Sequence, residues 1–247
     1  MNILAIIPAR MGSSRFPGKP MAKINGKPMI GHVYERVKKC KLLTKTIVAT
    51  CDDVIFDYIE GISGQAIMTS KSHERASDRA AEALKILEDQ DKIKYDIIVM
   101  VQGDEPMTDP EMISEAVNPM INDSNINVVN LVADIDSKEE FEDRNCIKVV
   151  LDKDNNAMYF SREPIPTQRA SDNVPMKKQV CIIPFRREFL FLYQDMKPTP
   201  LEITESVDMM RILENGFKVK MVPTRFNTSA VDTEEDLAKV CLLMKDD

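Results

Sequence analysis

Short apolar runs alternate with amphipathic stretches along the first half of the chain. Continuous apolar runs of this length are typical of strands buried on both faces, and they occupy residues 3–7, 46–50, 66–68, 97–101 and 128–132. Apolar residues at helical spacing predict helices over residues 29–41, 53–61, 76–87 and 110–121. Strands that alternate with helices of this length predict an α/β fold with a mostly parallel sheet covered on both sides.

The second half of the chain is less regular. Strands are predicted over residues 147–151, 158–160, 180–183 and 218–222. A helix is predicted over 201–215, with Gly216 after its end and with Glu202 and Glu205 as acids of its first turn. The last predicted helix is 233–244, with Thr233 as its N-cap. We therefore expect one domain over 1–247, with an insertion-like region around 163–200. Residues 163–178, rich in Pro and polar side chains, are expected to form a mobile loop or an excursion from the main sheet.

Composition restricts the classes of protein that this chain can represent. It has 247 residues, 43% of them hydrophobic, which is enough to form a core. The net charge of −7 argues against nonspecific binding to nucleic acid. We see no apolar run of the ~20 residues that a membrane span needs and no signal peptide. The five cysteines are scattered without a Cys-x-x-Cys pair, which favours reduced thiols in the cytoplasm.

A loop rich in glycine and cations follows the first strand. Four of the eight glycines lie within the first 31 residues, and Arg10, Arg15 and Lys19 lie in the loop itself. Ligands bind at the carboxyl ends of strands in open α/β sheets, and arginine and lysine bind phosphates there. The loop matches neither the Walker A pattern nor Gly-x-Gly-x-x-Gly. An ordinary solvated loop is the alternative.

Acidic residues follow another predicted strand at the same edge of the sheet. Gln102 and Asp104 come directly after residues 97–101, and a carboxylate at this position suits a hard divalent cation. Asp232 ends a strand-like stretch and opens a helix, so it is a candidate for the second acid of such a site. The alternatives are a turn residue for Asp104 and a helix-start acid for Asp232.

Several short blocks carry a specific pattern: residues 7–10, 17–20, 24–30, 48–50, 101–106, 148–152, 159–162, 164–166 and 231–237. Together, in this order and at this spacing, they resemble the cytidylyltransferases that activate 3-deoxy-manno-octulosonate (Kdo), the CMP-Kdo synthetase family. The resemblance implies the three-layer nucleotide-diphospho-sugar transferase fold. It also implies CTP and an acidic 3-deoxy-keto sugar as substrates, Mg²⁺, pyrophosphate as by-product and a homodimer, for which we take the region around 163–200 as the interface.

The resemblance also implies roles for individual residues. The expected catalytic residues are Arg10, Arg15, Lys19 and Asp104, and the expected metal ligands are Asp104 and Asp232. The expected nucleotide-binding residues are Pro8, Ala9, Arg10, Gly12, Ser13, Ser14, Arg15, Lys19, His73, Arg75, Ala76, Arg79 and Gln102. The expected acid-sugar pocket comprises Gln102, Arg162, Gln179 and Asp208.

The chain departs from the family pattern in both pockets. Arg75 and Ala76 replace a Ser-Gly pair near the base, so we hypothesise that Arg75 contacts the base or a phosphate. Gln179 and Ile183 replace a histidine and a tyrosine of the sugar pocket, and Asp208 replaces a glutamate. A pocket that loses hydrogen-bond partners rejects its former ligand strongly, so the acid activated here is either Kdo or a different one.

Two further hypotheses stay open at this point. One is a nucleotide-binding paralogue without catalysis, which the altered pockets suggest. The other is a nucleotidyltransferase that uses another base or another acceptor. A screen of pyrophosphate release with four nucleoside triphosphates and a set of acidic sugars separates them.

Overall fold

The computed structural model describes residues 1–13, 15–167, 169, 174–226 and 229–245. The chain divides into two compact units, Met1–Ser114 with Asn227–Asp247, and Glu115–Phe226. The expectation of one domain with an insertion-like region stays a prediction, because a compact unit need not fold alone. The expected loop over 163–178 falls partly outside the described residues.

The first unit is built around a parallel sheet. Its strands are β1 (Ile3–Ala9), β2 (Lys23–Ile24), β3 (Lys27–Pro28), β4 (Lys45–Thr50), β5 (Ala66–Met68) and β6 (Ile97–Val101). Its helices are α1 (Met29–Lys38), α2 (Asp53–Gly61), α3 (Ala76–Asp91) and the last helix of the chain, α9 (Glu234–Leu243), while α4 (Pro110–Asn122) begins in this unit and ends in the other. Strands β6, β1, β4 and β5 lie side by side in that order and pair in parallel, as the alternation of elements predicts.

The sequence pattern explains this architecture. Every residue of β1 is buried, as expected for a strand covered on both faces. Helix α1 buries Met29, Val33 and Val37, which recur at helical spacing on one face. Each such side chain contributes roughly 1.5–3 kcal/mol when it is fully removed from water. The carboxyl ends of the parallel strands are thereby fixed along one edge.

The second unit contains a mixed sheet. Its strands are β7 (Val129–Asp134), β8 (Lys148–Leu151), β9 (Ala157–Ser161), β10 (Lys177–Val180), β11 (Ile182–Arg186) and β12 (Lys220–Pro223). Its helices are α5 (Lys138–Glu142), α6 (Arg187–Asp195), α7 (Pro200–Glu205) and α8 (Met209–Glu214). In the sheet, the order is β12, β7, β10, β8 and β9; β12 pairs with β7 in parallel, and the other pairs are antiparallel.

The predicted single helix over 201–215 is wrong. Ser206 adopts a left-handed conformation, with φ of 53°, and ends α7 before α8 begins. The break allows Arg211 to bind Glu202 through two nitrogens at 2.7 Å each. In a straight helix these residues would lie about 13 Å apart along the axis. Glu202 is therefore half of a buried ion pair, and Glu205 ends α7 instead of lying in its first turn.

Two other elements differ from the prediction. The strand predicted over 180–183 is confirmed at Val180 and over 182–183, but it is not continuous, because Cys181 separates β10 from β11. Helix α6 was not predicted, although Phe189, Leu190 and Tyr193 are buried on it at helical spacing.

Thr233 caps α9 as predicted, since its side chain accepts a hydrogen bond from the backbone N–H of Asp236. Among the helices that the structure describes, none combines the length and apolar character needed to cross a membrane.

Candidate active site

The loop after β1 is folded back on itself. The Met11 carbonyl accepts hydrogen bonds from the backbone N–H groups of Ser13 and Gly18, at 3.1 and 3.0 Å. Gly18 has φ of 76°, a conformation that favours glycine, and leads into a short 3-10 helix over Lys19–Met21. The Met11 N–H donates to the Asp52 carboxylate at 2.8 Å, which ties the loop to the end of β4. The backbone of Lys19 is thus fixed locally.

Gly103 allows the end of β6 to approach β1 closely. A Cβ atom at this position would lie 3.0 Å from the Pro8 carbonyl oxygen. Asp104 follows, and its carbonyl accepts the Val231 N–H at 2.9 Å. This hydrogen bond brings the segment before α9 to the end of β6. Asp104 and Asp232 are therefore neighbours although they lie far apart in the sequence.

Asp232 is held by the first turn of α9. The backbone N–H groups of Asp232 and Thr233 donate to the Asp236 carboxylate at 3.0 and 2.9 Å, and the Thr233 hydroxyl donates to it at 2.9 Å. This capping box satisfies the orphan donors at the start of the helix. The Asp232 carboxylate itself is left to interact with other side chains.

The Lys19 ammonium lies between two carboxylates. Its Nζ atom is 2.6 Å from Asp104 Oδ2 and 3.1 Å from Asp232 Oδ1, and Arg15 Nη2 is 3.0 Å from the same Asp232 oxygen. Burial lowers the pKa of Lys19, but Asp104 and then Asp232 outweigh that effect, so the pKa lies above its ordinary value. Cations from the loop and carboxylates from two other segments therefore meet at one edge of the sheet.

These side chains line a cavity of about 320 Å³ in the first unit. Fourteen of the residues expected from the sequence border it: Pro8, Ala9, Arg10, Gly12, Ser13, Arg15, Lys19, His73, Arg75, Ala76, Arg79, Gln102, Asp104 and Asp232. The sequence did not single out Pro20, Glu74 and Gly103, which also border it. Ser14 lies outside the described residues. Five cationic and three acidic side chains surround the cavity, a balance that suits a polyanion.

One wall of the cavity is the segment before α3. His73 Nε2 is 2.6 Å from a Glu82 carboxylate oxygen, which orients the ring. Arg79 is only 2% exposed, and its guanidinium hydrogen-bonds to the Thr69 hydroxyl and to the Ser70 and His73 carbonyls. Arg79 thus supports the wall that His73 and Arg75 line.

The remaining candidates lie in the second unit. The Arg162 guanidinium donates to the carbonyls of Glu205, Arg144 and Ser206, at 2.8, 2.9 and 3.2 Å. Gln179 donates to the side-chain oxygen of Asn130. Asp208 precedes α8, and its carbonyl accepts the Tyr193 hydroxyl at 3.1 Å. Their predicted contacts with an acidic sugar stay predictions.

Sequence reasoning missed the residues that support this site. Asp52 holds the loop, Glu82 orients His73, and Asp236 holds Asp232. Asp236 carries a detectable signal, because Thr-x-x-Asp at a helix start suggests a capping box. Asp52 carries none, since its partner Met11 is 41 residues away.

Comparisons with known proteins show the family to which this chain belongs. A family model described as Cytidylyltransferase matches residues 4–222. A 3-deoxy-manno-octulosonate cytidylyltransferase of Geotalea daltonii is 44% identical, over 100% of this chain and 99% of the relative. One of Geobacter metallireducens is 43% identical, over 97% and 96%.

Solved structures extend the similarity to the fold. The structure of a CMP:2-keto-3-deoxy-manno-octonic acid synthetase complexed with CTP superposes with a TM-score of 0.89 at 36% identity, covering 99% of this chain and 98% of the other. A cytidylyltransferase from Leptospira borgpetersenii shares the fold, with a TM-score of 0.63 at 20% identity, over 98% and 85% of the two chains. This chain therefore belongs to the cytidylyltransferase family, among its 3-deoxy-manno-octulosonate cytidylyltransferases.

Proposed function

We propose that this enzyme couples CTP to Kdo, giving CMP-Kdo and pyrophosphate. The observation that carries the proposal is the meeting of Lys19 with Asp104 and Asp232 inside a cavity with an excess of cationic side chains. A triphosphate needs such cations. The names of the relatives and the CTP complex of the similar structure support the choice of nucleotide and acceptor.

Binding and orientation are the main tasks of the protein in this reaction. Arg10, Arg15 and Lys19 hold the triphosphate, and the wall at His73 and Arg75 holds the nucleoside. A hydroxyl oxygen of the acid forms a bond to the α-phosphorus while the bond from that phosphorus to the bridging oxygen breaks. Pyrophosphate leaves, and the hydroxyl proton is released. Positioning and electrostatics provide most of the catalysis in such transfers, without a covalent intermediate.

The cavity fits a divalent cation at the two carboxylates. Carboxylate oxygens are the ligands that Mg²⁺ prefers, and Asp104 and Asp232 lie close enough together for the Lys19 ammonium to contact both. We propose Mg²⁺ as that ion, held by these two residues. When bound, it neutralises phosphate charge and lowers the pKa of the attacking hydroxyl. Within the described ranges, no group of three or more His, Cys, Asp or Glu side chains comes together as a metal site, so phosphates and water would complete the coordination.

The acceptor is the less determined of the two substrates. We propose that Gln102, Arg162, Gln179 and Asp208 contact the acidic sugar. A different acidic acceptor is the second candidate, because Gln179 and Ile183 stand where the family pattern has a histidine and a tyrosine. We also propose a homodimer, with an interface around 163–200. We further propose a cytoplasmic location, which is supported by five scattered cysteines without a Cys-x-x-Cys pair.

A pyrophosphate-release assay tests the proposal. Purified enzyme with Mg²⁺ and CTP should release pyrophosphate when Kdo is added, and release should be much slower with ATP, GTP or UTP. Rapid release with another acidic sugar and none with Kdo would establish the second candidate. CTP binding without pyrophosphate release for every acid tested would contradict catalysis and favour a binding paralogue.

A further inference from the structure

The Lys19 side chain occupies the position between the carboxylates that the proposed function assigns to a divalent cation. Its ammonium contacts Asp104 at 2.6 Å and Asp232 at 3.1 Å. The same side chain is one of the three cations assigned to the triphosphate. The two carboxylates use two of its three N–H donors, so the ammonium can give a phosphate only one hydrogen bond unless it leaves a carboxylate.

The backbone around this bridge is fixed on all three sides. The left-handed Gly18 and the short 3-10 helix hold Lys19, the hydrogen bond from Val231 N–H holds Asp104, and Asp236 holds Asp232. The lysine side chain, by contrast, has four rotatable bonds and a mobile head. The ammonium can therefore leave while the two carboxylates stay in place.

Charge balance makes the bridge a barrier to free cations. Arg15 and Lys19 together neutralise the two carboxylates. A divalent cation that arrives alone meets a neutral cluster and must displace a charge-assisted hydrogen bond. A triphosphate offers Lys19 alternative acceptors and restores the negative charge of the pair.

We propose that Lys19 is a built-in counter-ion that keeps free divalent cations from Asp104 and Asp232 until a triphosphate draws it away, so that nucleotide and cation bind cooperatively. This inference rests on the proposed function for the identity of the nucleotide. Since coupling between two ligands is reciprocal, the cation strengthens nucleotide binding by the same factor.

Binding of Mn²⁺ without nucleotide, followed by electron paramagnetic resonance, tests the inference. Lys19→Gln should bind Mn²⁺ about tenfold more tightly than the wild type, within the usual range of roughly 5–150-fold for coupled sites. Lys19→Arg keeps the charge and should bind as weakly as the wild type. Arg10→Gln is the matched control: it removes one charge from the same cavity, but the described hydrogen bond of Arg10 goes to the His73 carbonyl. Its affinity for Mn²⁺ should change much less than that of Lys19→Gln.

Equal Mn²⁺ affinity in Lys19→Gln and the wild type would overturn the inference, and so would an equal gain in Arg10→Gln, which would indicate only a general effect of cavity charge. A second measurement uses the wild type and does not depend on how a variant folds. The Lys19 ammonium signals in nuclear magnetic resonance spectra should shift when CTP and Mg²⁺ are added, because phosphate oxygens replace the two carboxylates as its hydrogen-bond acceptors. Ammonium signals that keep their positions after the addition would also overturn the inference.

The two proposals fail in different ways. Pyrophosphate release by the wild type with no gain of Mn²⁺ affinity in Lys19→Gln would leave the proposed function intact and reject the counter-ion. No pyrophosphate release with any acid, together with tighter Mn²⁺ binding in Lys19→Gln, would reject the proposed reaction and keep the counter-ion.

Discussion

In the first unit, Lys19, Asp104 and Asp232 keep between 14% and 27% of their side-chain surface accessible, and they border a cavity. In the second unit, Glu202 and Arg211 form an ion pair in which the side chains are 0% and 3% exposed. The chemistry of the pairs is the same, but their surroundings differ. A charged group that borders a cavity can exchange its protein partner for a ligand, whereas the charged groups of a buried pair are inaccessible to ligands.

The second unit also contains a buried lysine, Lys148, whose hydrogen bonds all go to the protein itself. Lys148 is fully buried, and its ammonium donates to the carbonyls of Asp143, Cys146 and Arg162 at 2.7, 2.6 and 2.5 Å. Burial lowers the pKa of Lys148, and the nearby Cys146 and Asp143 partly oppose that shift. All three ammonium donors are used by backbone groups, so this lysine organises the chain and has no donor left for a ligand.

The largest effect is expected on turnover, when a carboxylate that borders the cavity is removed. Asp104→Asn should reduce turnover by at least about 10²–10³-fold, because it removes a carboxylate charge that holds the proposed Mg²⁺ beside the transferring phosphate. The free energy of unfolding should change by only about 1 kcal/mol, since Lys19 keeps its contact with Asp232. Steady-state pyrophosphate release and urea unfolding provide the two measurements.

Asp91→Asn is the matched control, because Asp91 also pairs with a lysine in the first unit, Lys45, at 2.5 Å. Its turnover should equal that of the wild type. If Asp104→Asn retained full turnover, Asp104 would have no place in the catalytic site.

The second largest effect is expected on stability, when the buried ion pair of Glu202 and Arg211 is broken. Glu202→Gln should lower the free energy of unfolding by about 3–5 kcal/mol, because it leaves the Arg211 charge buried without its partner. Glu142→Gln, which breaks the exposed pair with Lys138, should change it by less than about 0.5 kcal/mol. Urea unfolding of both variants checks the contrast, and equal losses would remove the distinction between buried and exposed pairs.

A smaller effect is expected at the wall of the cavity. Arg75→Ala should weaken CTP binding by about tenfold, the value of one charge-assisted hydrogen bond. Lys71→Ala changes an exposed cation of the same segment that does not border the cavity, and its affinity for CTP should stay that of the wild type. Isothermal titration calorimetry provides the measurement. Unchanged affinity in Arg75→Ala would remove the hypothesis that this arginine contacts the nucleotide.

The smallest effect concerns Cys146 beside the buried lysine. Burial, and then the Glu140 charge, raise the pKa of its thiol to about 11. Because the thiolate is the reactive form and only about one thiol in a thousand is ionised at pH 8, alkylation at that pH should be slow. Alkylation of Cys146, followed by mass spectrometry across pH 8–11.5, should rise with a midpoint near 11. A midpoint close to 8.5, the usual value for a free thiol, would contradict the expected burial.

The strands and helices of the first unit were largely predictable. Residues 53–61, 66–68 and 97–101 form α2, β5 and β6 with the predicted bounds. Short apolar runs and apolar residues at helical spacing are local signals that do not depend on distant partners. The break at Ser206 was not predictable in this way. The pairing of Glu202 with Arg211 favours the break, and no local residue type indicates it.

The candidate site also contains some residues that were predictable from the sequence and others that were not. The glycine and cation loop was visible as a local pattern, and Asp104 was visible at the end of a strand. The residues that hold these groups, such as Asp52 and Glu82, were not, because each acts on a partner brought close only by the fold.

The sequence alone determined the family, the alternation of strands and helices, and the types of side chain available for binding a polyanion, because these are properties of neighbouring residues. Only the tertiary structure decided that Lys19 contacts Asp104, 85 residues away, and Asp232, 213 residues away. For Asp104, the reason is that the carboxyl ends of parallel strands meet at one edge of a sheet, whatever their separation along the chain. For Asp232, it is the hydrogen bond from the Val231 N–H to the Asp104 carbonyl, which joins the segment before α9 to the end of β6. The tertiary structure also decided which charged side chains border a cavity and which are buried, and thus which of them can bind a ligand.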